Sequence, residues 1–531
     1  MIDNVVTLNA PLQPVPKERS SSQAAKARLA ARHRAGRRFK FYGLAAIVAA
    51  GGFLCAIVAD IVVKARPAFT KSQIALNVPV TSDLVDPAAV KNGDFDGVLR
   101  TALRSHFPTV TSRSGRKALD AVLSSAAADA LRAQVIANPA LVGTTVKVNA
   151  LMSSDADLFV KGLASRTATF PGRGAARITI ADDKITISLE DGALSGVFER
   201  FGGAQGEAIT LDATKPSLLF AIAGGVVKAT SVDTNSIVGA ALIPLPATAA
   251  DAVDKWHMLI LETPEGDRKI PDSQAAVVAL LQETGQVHEV ANWSFFSEGD
   301  SREPEQAGIL GALAGTALTM LVTLGLCLPI GVGAAIYLEA FAPKNKWTHL
   351  IEVNINNLAA VPSIVFGLLG LAVFLGVGGL PRSSSLVGGL VLALLVLPTI
   401  IIASRAAIKS VPPSIQEAAL ALGATHQQTV FHHVLPVALP GIMTGTIIGM
   451  AHALGETAPL LMIGMVAFIA DVPHSLTEAA TVLPVQIFLW SDLPEIGFQA
   501  KTAAAILVLL IFLVAMNAIA IYLRRKFERR W

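Results

Sequence analysis

The sequence predicts a mainly α-helical membrane protein with six spans and an α+β domain inserted between the first span and the second. Of its 531 residues, 52% are hydrophobic and only 16% are charged, and the mean hydropathy is +0.55. A soluble globular chain carries about 25% charged residues, so long apolar stretches of this chain face something other than water. One apolar run near the N-terminus is separated from five others by a long polar stretch.

Charge and cysteine content exclude other classes of protein. The chain has 43 Lys+Arg against 40 Asp+Glu, which gives a formal net charge of +3. With so apolar a composition, this balance excludes a disordered chain and a nucleic-acid-binding chain. Cys55 and Cys327 both lie in apolar runs, so the sequence offers no disulfide framework and no cysteine metal site. Cysteine content leaves the redox compartment open.

Residues 41–63 form the first predicted span. The run is interrupted only by Asp60, and a helix rising about 1.5 Å per residue over this length crosses a bilayer core of about 30 Å. Residues 1–40 form a basic tail, which the positive-inside bias holds in the cytoplasm. A signal peptide has a shorter basic region and a cleavage site, so we expect an uncleaved anchor. The basic residues of the tail are Lys17, Arg19, Lys26, Arg28, Arg32, Arg34, Arg37, Arg38 and Lys40.

Residues 64–306 are polar and mixed, and we expect them to fold as an α+β domain. Alternating residues at 177–180 and 184–189, on either side of Asp182–Asp183, predict a β-hairpin. The apolar stretch 218–227 is too short to span a bilayer and is interpreted as buried strand. With one span before it, the domain is expected to lie outside the cytoplasm.

Residues 307–531 return to an almost purely apolar composition and predict five further spans. An even total of six returns the C-terminus to the cytoplasm, and the basic tail at 524–530 agrees. Predicted inner loops hold Lys344, Lys346 and Lys409, whereas outer loops hold Asp471, Asp492 and Glu495 against Arg382 and Lys501. The five apolar runs lie near 308–338, 358–379, 386–404, 437–470 and 502–523.

The segment between the fourth and fifth spans predicts two short helices joined by a turn. Ser414 and Glu417 have the spacing of a capping box, and Gly423 suits the left-handed conformation that ends a helix. Thr425 and Gln428 repeat the capping box for the second helix.

Leu435–Pro436 is expected to stop that second helix. Because capping boxes are common, an ordinary interfacial loop explains these patterns as well as a functional element does.

The same segment resembles the EAA loop of ABC importer permeases. The resemblance is carried by Glu417, Ala418 and Ala419, then Gly423, then Leu435 and Pro436. That family inserts the loop into a cleft of a cytoplasmic ATPase, so the resemblance implies a type I ABC importer permease whose coupling loop is residues 411–436. The sequence departs from the family at His433, where an aliphatic residue is usual, and this changes the docking surface.

The chain contains no G-x-x-x-x-G-K-[ST] phosphate loop. ATP hydrolysis is therefore expected in a separate ATPase subunit that binds ATP and Mg, while this chain is a transporter subunit with no catalytic residues and no cofactor of its own. His426, His432 and His433 lack the helical spacing of four and a nearby carboxylate. We expect no metal site there.

The fifth predicted span contains a row of small residues and a proline. Gly441, Gly445, Gly449 and Ala453 recur every four residues, which lets another helix approach closely. Pro459 is expected to free a carbonyl group and to break or kink the helix.

The same span carries two ionisable side chains, His452 and Glu456, which are four residues apart and are expected to meet. Ionisable groups in a span are costly and usually face a pathway or a partner helix. We interpret them, with the adjacent Thr457, as residues of a translocation pathway. The alternative is a purely structural pair.

The stretch 455–461 (GETAPLL) closely resembles the signature of the PstA family of phosphate importer permeases, and the stretches 335–339, 361–367 and 482–488 agree. The likeness covers roughly residues 308–531, with the basic tail and the first span. The outer domain resembles the extra N-terminal domain of an alphaproteobacterial subgroup of that family.

This resemblance implies a permease subunit of an ATP-driven importer that carries inorganic phosphate across the bacterial inner membrane. It implies a second permease of PstC type, an ATPase dimer of PstB type and a periplasmic phosphate-binding protein of PstS type. Both termini would be cytoplasmic and residues 64–306 periplasmic. The domain could dock the binding protein.

The sequence departs from its apparent family at two charged positions. PstA relatives often carry Arg where His452 stands, and an Arg at the position of Ile402, with Arg405 three residues further on. A guanidinium is always charged and binds phosphate with two N–H groups, whereas histidine is only partly charged near neutral pH. Arg405 is a candidate pathway residue, and the alternative for Arg405 and Lys409 is positive-inside anchoring.

Two alternative functions stay open. One is the same transporter for another oxyanion, such as sulfate or phosphonate. The other is a membrane sensor whose outer domain binds a ligand, although no kinase, cyclase or methyl-accepting module follows the last span.

Overall fold

The computed structural model describes residues 23–527, except 88, 173, 182–183, 191, 203–207, 247–251 and 254. The chain divides into two units, the first ending at Val63 and the second running from Lys64 to Trp531. Lys17 and Arg19 of the predicted tail, the hairpin turn Asp182–Asp183 and the C-terminal Arg529–Arg530 lie outside the described residues.

The first unit carries one long helix, α1 (Gln23–Ala65). It covers the whole of the predicted span 41–63 and is long and apolar enough to cross a membrane. Its large apolar side chains, such as Phe41 and Phe53, are exposed. A helix surrounded by lipid needs no polar face, because all its interior backbone groups bond within the helix.

The predicted α+β domain contains twelve named strands and seven α-helices among its described residues. The strands are β1 (Thr70–Pro79), β2 (Thr145–Leu151), β3 (Thr167–Pro171), β4 (Ala176–Ala181), β5 (Lys184–Ser188), β6 (Ile209–Thr210), β7 (Ser217–Ile222), β8 (Gly225–Val232), β9 (Ser236–Ile243), β10 (Ala252–Val253), β11 (Trp256–Leu261) and β12 (Val287–Ala291). The helices are α2 (Phe95–Ser105), α3 (Arg113–Asp120), α4 (Asp129–Ala137), α5 (Ser154–Val160), α6 (Ser195–Arg200), α7 (Asp272–Glu283) and α8 (Ser294–Ser297).

The strands form two antiparallel sheets. In the smaller sheet β1 lies between β12 and β2, and the larger sheet has the order β10-β4-β5-β9-β8-β7-β11-β3 with β6 beside β8. The predicted hairpin is confirmed, because β4 and β5 pair with Ile178 opposite Ile187. The stretch 218–227 is buried β-structure as predicted, but it is a second hairpin that turns at Ala223 and Gly224, both of which have positive φ.

Two hydrophobic cores hold the sheets, and the larger sheet contributes side chains to both. The smaller sheet packs with α2, α4 and α7 and fully buries Phe95, Leu103 and Leu131. In the larger sheet the rings of Phe220 and Trp256 stack with centroids 5.0 Å apart. Burying a large apolar side chain stabilises a fold by about 1.5–3 kcal/mol, so both cores contribute to holding the two sheets together.

The remainder of the second unit is helical. Five of the described helices, α1 included, are long and apolar enough to cross a membrane, or six if one bent pair counts as a single span. The helices are α9 (Leu310–Ile336), α10 (Lys346–Ala359), α11 (Ser363–Gly370), α12 (Ser385–Lys409), α13 (Pro413–Ala421), α14 (His426–Gln428), α15 (Leu435–Gly455), α16 (Ala458–Met462), α17 (Leu483–Ser491) and α18 (Ile496–Phe527), with π-helical turns at Tyr337–Phe341, Leu371–Val377 and Thr429–Val434.

Two predicted spans have the wrong shape. The run 358–379 is not one helix, because α10 and α11 meet at 102°. Val361 precedes Pro362, and the residue before a proline is disfavoured in the α conformation. The run 437–470 is helical only as far as Gly455, and α16 follows separately.

Lys501 was predicted in an outer loop and instead lies within α18, which begins at Ile496. Its side chain is only 4% exposed. The apolar run alone did not reveal that the helix extends past its charged residue.

The row of glycines on α15 faces α12, as predicted. A methyl group added at Gly441 would lie 2.7 Å from the Cβ atom of Ala407, and one at Gly445 would lie 2.3 Å from that of Ala403. The absent side chains therefore let the two helix backbones approach closely, and this fixes the position of α15 relative to α12.

Candidate functional site

Helix α13 forms the first half of the predicted coupling loop, and its start differs from the prediction. Pro412 is the N-cap and Pro413 the first helical residue, with no side-chain capping bond. The predicted capping box of Ser414 and Glu417 is therefore wrong. Proline suits the first helical position because its φ is preset and its missing N–H would have no partner there, so the helix starts before Ser414.

Gly423 ends α13 as predicted, with φ +88°. Its N–H donates to the carbonyl of Leu420 at 2.9 Å, and the N–H of Ala424 donates to the carbonyl of Ala419 at 3.1 Å. These two bonds form a Schellman motif, which satisfies the last carbonyls of the helix. Ala419 is buried, while Glu417 and Ala418 are exposed.

The second half of the loop runs directly into a span. The predicted capping box of Thr425 and Gln428 is confirmed, since each side chain bonds to the other residue's backbone. The predicted stop at Leu435–Pro436 is wrong, because helical backbone continues from α14 through the π-turn Thr429–Val434 into α15. Pro436 lies in the first turn of α15, where a missing N–H is tolerated.

The predicted coupling loop contacts the C-terminal end of α9, and His426 makes one of these contacts. Nε2 of His426 lies 2.8 Å from the carbonyl oxygen of Ala340, and its ring packs edge-on against Phe341 with centroids 5.1 Å apart. Ala340 and Phe341 belong to the π-turn that ends α9. The structure therefore places α14 in direct contact with the end of α9.

The same π-turn carries Glu339, which binds Arg405. The guanidinium of Arg405 lies 3.4 Å from Glu339 and 2.7 Å from Glu352 of α10. We call these three residues the Arg405 cluster. It joins α9, α10 and α12, and its side chains are only 23–30% exposed.

His452 and Glu456 meet as predicted, with Nε2 of His452 2.7 Å from Oε1 of Glu456. The pair lies at the end of α15, where Glu456 takes an extended conformation with ψ 119° and Thr457 precedes α16. Pro459 clashes with a helical carbonyl four residues earlier, which is that of Gly455, so the predicted break is confirmed at that point. His452 is 57% exposed although it lies in an apolar span.

Similarity to known proteins agrees with this arrangement. Residues 328–531 match the family described as "Binding-protein-dependent transport system inner membrane component". The chain is 31% identical over 240 residues to the phosphate transport system permease protein PstA 1 of Mycobacterium tuberculosis, covering 45% of this chain and 77% of that protein. The chain belongs to this family of transport permeases.

Other relatives match shorter parts of the permease. The phosphate transport system permease protein PstA of Yersinia pestis is 32% identical over 214 residues, 40% of the chain and 71% of that protein. The probable ABC transporter permease protein YqgI of Bacillus subtilis is 34% identical, and the chain spans 58% of its length. The MetNI methionine ABC transporter, in an inward-facing conformation, aligns with 41% of the permease at 19% identity and a TM-score of 0.34.

The N-terminal part of the permease has a separate relationship. Residues 26–169 match the family described as "Domain of unknown function (DUF3333)". That match covers α1 and ends within β3 of the α+β domain. Membership of the permease family makes the chain a multi-pass membrane subunit of a transporter and not itself an enzyme, and it implies ATPase and substrate-binding partners.

The permease has no visible metal site in its described part. No group of three or more His, Cys, Asp or Glu side chains among the described residues is placed to hold a metal ion. His432 and His433 are exposed on the π-turn Thr429–Val434.

Sequence reasoning missed the partners of Arg405. Glu339 and Glu352 lie 66 and 53 residues away along the chain, and no local pattern joins residues so distant. Glu339 does fall within the stretch 335–339 that carries the family resemblance, which was the available signal. The three π-helical turns of the permease also had no sequence prediction.

Proposed function

We propose that this permease is a membrane subunit of an ATP-driven importer that moves inorganic phosphate across the bacterial inner membrane into the cytoplasm. The observation that carries the proposal is the 31% identity to a phosphate transport system permease over 240 residues. It is supported by a second such relative at 32% identity and by the coupling loop and the His452–Glu456 pair of the structure.

The coupling loop is the proposed contact with the ATPase. Glu417 and Ala418 are exposed on α13, where a partner can reach them, while Ala419 and the Schellman turn at Gly423 hold the helix in place. ATP binding would close an ATPase dimer of PstB type, which would hold ATP and Mg. Leu435 and Pro436 start the span that receives the motion.

Within the membrane, motion is proposed to travel by two routes. One is the continuous helical backbone from α14 into α15, which ends at the His452–Glu456 pair. The other is the contact between His426 of α14 and the π-turn that ends α9. That turn carries Glu339 of the Arg405 cluster. Both routes start at α14, which follows α13 in the same loop, so one docking event on α13 would move α15 and the end of α9 together.

The proposed pathway residues differ in how they could meet an anion. His452 is 57% exposed in this chain, so its ring faces the space that a second permease or the pathway would fill. Thr457 lies beside the helix break at Glu456. Arg405 is already held by two carboxylates, which favours a holding role over direct contact with phosphate.

The remaining partners and the orientation follow from the same proposal. The chain is 31% identical over 234 residues to the phosphate transport system permease protein PstC of Haemophilus influenzae, which supports pairing with a related second permease of PstC type. A binding protein of PstS type would deliver phosphate outside the membrane. Both termini would be cytoplasmic and the domain of residues 64–306 periplasmic.

The proposal is tested by uptake of labelled phosphate into vesicles that hold this chain with its neighbouring permease, ATPase and binding protein. Accumulation that depends on ATP and is inhibited by arsenate, but not by sulfate or phosphonate, is the expected result. If ATP is consumed while sulfate or phosphonate is carried, the importer stands and phosphate does not. If no ATPase assembles with the chain, the sensor alternative replaces the importer.

A further inference from the structure

A lysine in the last span is buried against the base of the α+β domain. Nζ of Lys501 donates a hydrogen bond to the carbonyl oxygen of Ala307 at 2.8 Å. It also lies 4.8 Å from the centroid of the Phe295 ring. Lys501 belongs to α18, Phe295 to α8 of the domain, and Ala307 to the linker that precedes α9.

A buried ammonium group is costly unless its partners replace water, so its position is informative. The partners of Lys501 come from α8 and the linker and not from its own helix. A lysine at the end of a span that only anchors the helix would extend to the aqueous interface. Lys501 instead connects three elements, which are α18, α8 and the linker.

More charged side chains of the domain surround the same point. Nζ of Lys161 donates to the carbonyls of Pro67 and Thr70 at 2.9 and 2.7 Å and pairs with Asp157. Glu305 accepts a bond from Ser124 at 2.6 Å. With Lys501 these groups line one cavity of about 20 Å³, room for about one water molecule.

The surfaces around this cavity fit closely. A methyl group added at Gly497, in the first turn of α18, would lie 2.7 Å from both Cβ of Pro304 and Oγ of Ser154. Nε1 of Trp490 on α17 donates to Asp300 of the linker at 2.9 Å. The contact is therefore packed on more than one side and leaves little room for sliding.

We propose that Lys501 is a positioning residue that fixes α18 to the α+β domain, so that the domain and the last span move as one body during transport. The domain is then a working part of the permease and transmits the docking of a substrate-binding protein to the membrane. This inference rests on the proposed importer function.

The test uses the complete importer in vesicles and measures ATP hydrolysis with and without phosphate-loaded binding protein. Lys501→Met is expected to lower the maximal stimulation at least fivefold, while the basal rate, the assembly and the half-stimulating concentration of binding protein stay unchanged. Lys501→Arg is expected to restore most of the stimulation. The matched control is Lys71→Met, because Lys71 lines the same cavity but bonds Ser294 of the domain, not α18.

A second pair of variants tests the same contact without changing charge. Gly497→Ala places a methyl group against Pro304 and is expected to lower the stimulation, whereas Gly196→Ala in the domain meets nothing within 4 Å and leaves it unchanged. If Lys501→Met does not assemble, the Gly497 result decides. Wild-type stimulation in Lys501→Met or, failing that variant, in Gly497→Ala overturns the proposal. Absence of stimulation in the unmodified importer contradicts the importer function itself.

Discussion

The membrane part of the permease holds two charged groups that are built in opposite ways. Arg405 lies between two carboxylates from other helices and is 24% exposed. His452 has one partner, four residues away on its own helix, and is 57% exposed. The first group is held by the fold of this chain, and the second is left open on one side.

This difference separates two roles for charge within a membrane. A cation shared by three helices fixes their relative positions, and its removal leaves two carboxylates close together in an apolar region. A pair within one helix fixes nothing beyond that helix, so its exposed face is available to a substrate or to a partner chain. Variants at the two sites should therefore affect different properties.

The largest effect is expected from Arg405→Gln. The change leaves Glu339 and Glu352 without a cation, and we expect the free energy of unfolding to fall by about 1–3 kcal/mol because charged hydrogen bonds are lost. Phosphate uptake should fall at least tenfold. Thermal unfolding in detergent and uptake in vesicles measure the two quantities.

The double variant Arg405→Gln with Glu352→Gln is the control for this prediction. Removing one carboxylate should recover part of the lost stability, since the remaining charge no longer faces a like charge. Normal stability together with lost uptake in Arg405→Gln would contradict the holding role and assign Arg405 to the anion pathway.

The next largest effect is expected from Gly423→Ala. This change lies in the proposed coupling loop, from which both proposed routes to Arg405 and His452 start. A left-handed residue other than glycine costs about 1–2 kcal/mol, so the end of α13 should loosen while the assembly survives. ATP hydrolysis should continue while uptake falls severalfold. Glu417→Ala should uncouple the two activities in the same way, with stability unchanged because the side chain is exposed.

Gly333→Ala is the matched control for the loop variants. Gly333 lies near the end of α9 that His426 contacts, and a methyl group added at Gly333 meets nothing within 4 Å. Its coupling ratio of phosphate moved to ATP hydrolysed should equal that of the unmodified importer. A normal ratio in Gly423→Ala and Glu417→Ala would show that the loop does not couple transport to hydrolysis.

His452→Arg should have a smaller effect and should leave the fold intact. Because pairs four residues apart on a helix contribute about 0.5 kcal/mol or less, stability should barely change. If His452 faces the pathway, a guanidinium should bind phosphate better, and the KM for uptake should stay the same or fall. Failure of the variant to assemble would instead indicate that His452 is tightly packed against a partner helix.

The parts of this fold that the sequence predicts are those decided by neighbouring residues. Gly423 had to end a helix because it tolerates positive φ, and Thr425 with Gln428 could cap the next one. Pro459 broke α15 four residues earlier for steric reasons. Each of these features depends on fewer than about six consecutive residues, so the sequence alone carries most of the information that decides it.

The features that the sequence did not predict depend on distant contacts or on an exact starting residue. Pro436 does not end the helix, because the π-turn before it places it in the first turn of α15. Pro413 is the first residue of α13, so the helix begins before its predicted capping residue Ser414. Arg405 and Lys501 form hydrogen bonds with residues that lie 53 to 194 positions away along the chain. Hydropathy reports that such charges are costly in a span but not which groups offset the cost.

The smallest expected effect concerns Glu305, a buried carboxyl group outside the spans. Burial raises the pKa of Glu305, and the hydrogen bond from Ser124 opposes this only in part. The charged groups around it are Asp157 and Glu303, which raise its pKa, and Lys71, Lys161 and Lys501, which line the same cavity. A carboxyl whose folded-state pKa is raised contributes stability below its ordinary pKa, and that contribution is lost as the pH rises through the raised value.

Ionisation of Glu305 should therefore lower the unfolding temperature of the permease as the pH rises above the ordinary pKa of a glutamate, and this fall should be smaller in Glu305→Gln, which cannot ionise. The control is Glu289→Gln, which removes an exposed carboxylate of β12 away from Glu305 and should follow the unmodified chain. Equal pH dependence in Glu305→Gln and the unmodified chain would mean that Glu305 is stabilised as a carboxylate by Lys501. The joint between the domain and α18 would then be tightest at neutral pH, and its charges would resemble the paired Arg405 cluster more than the open His452 pair.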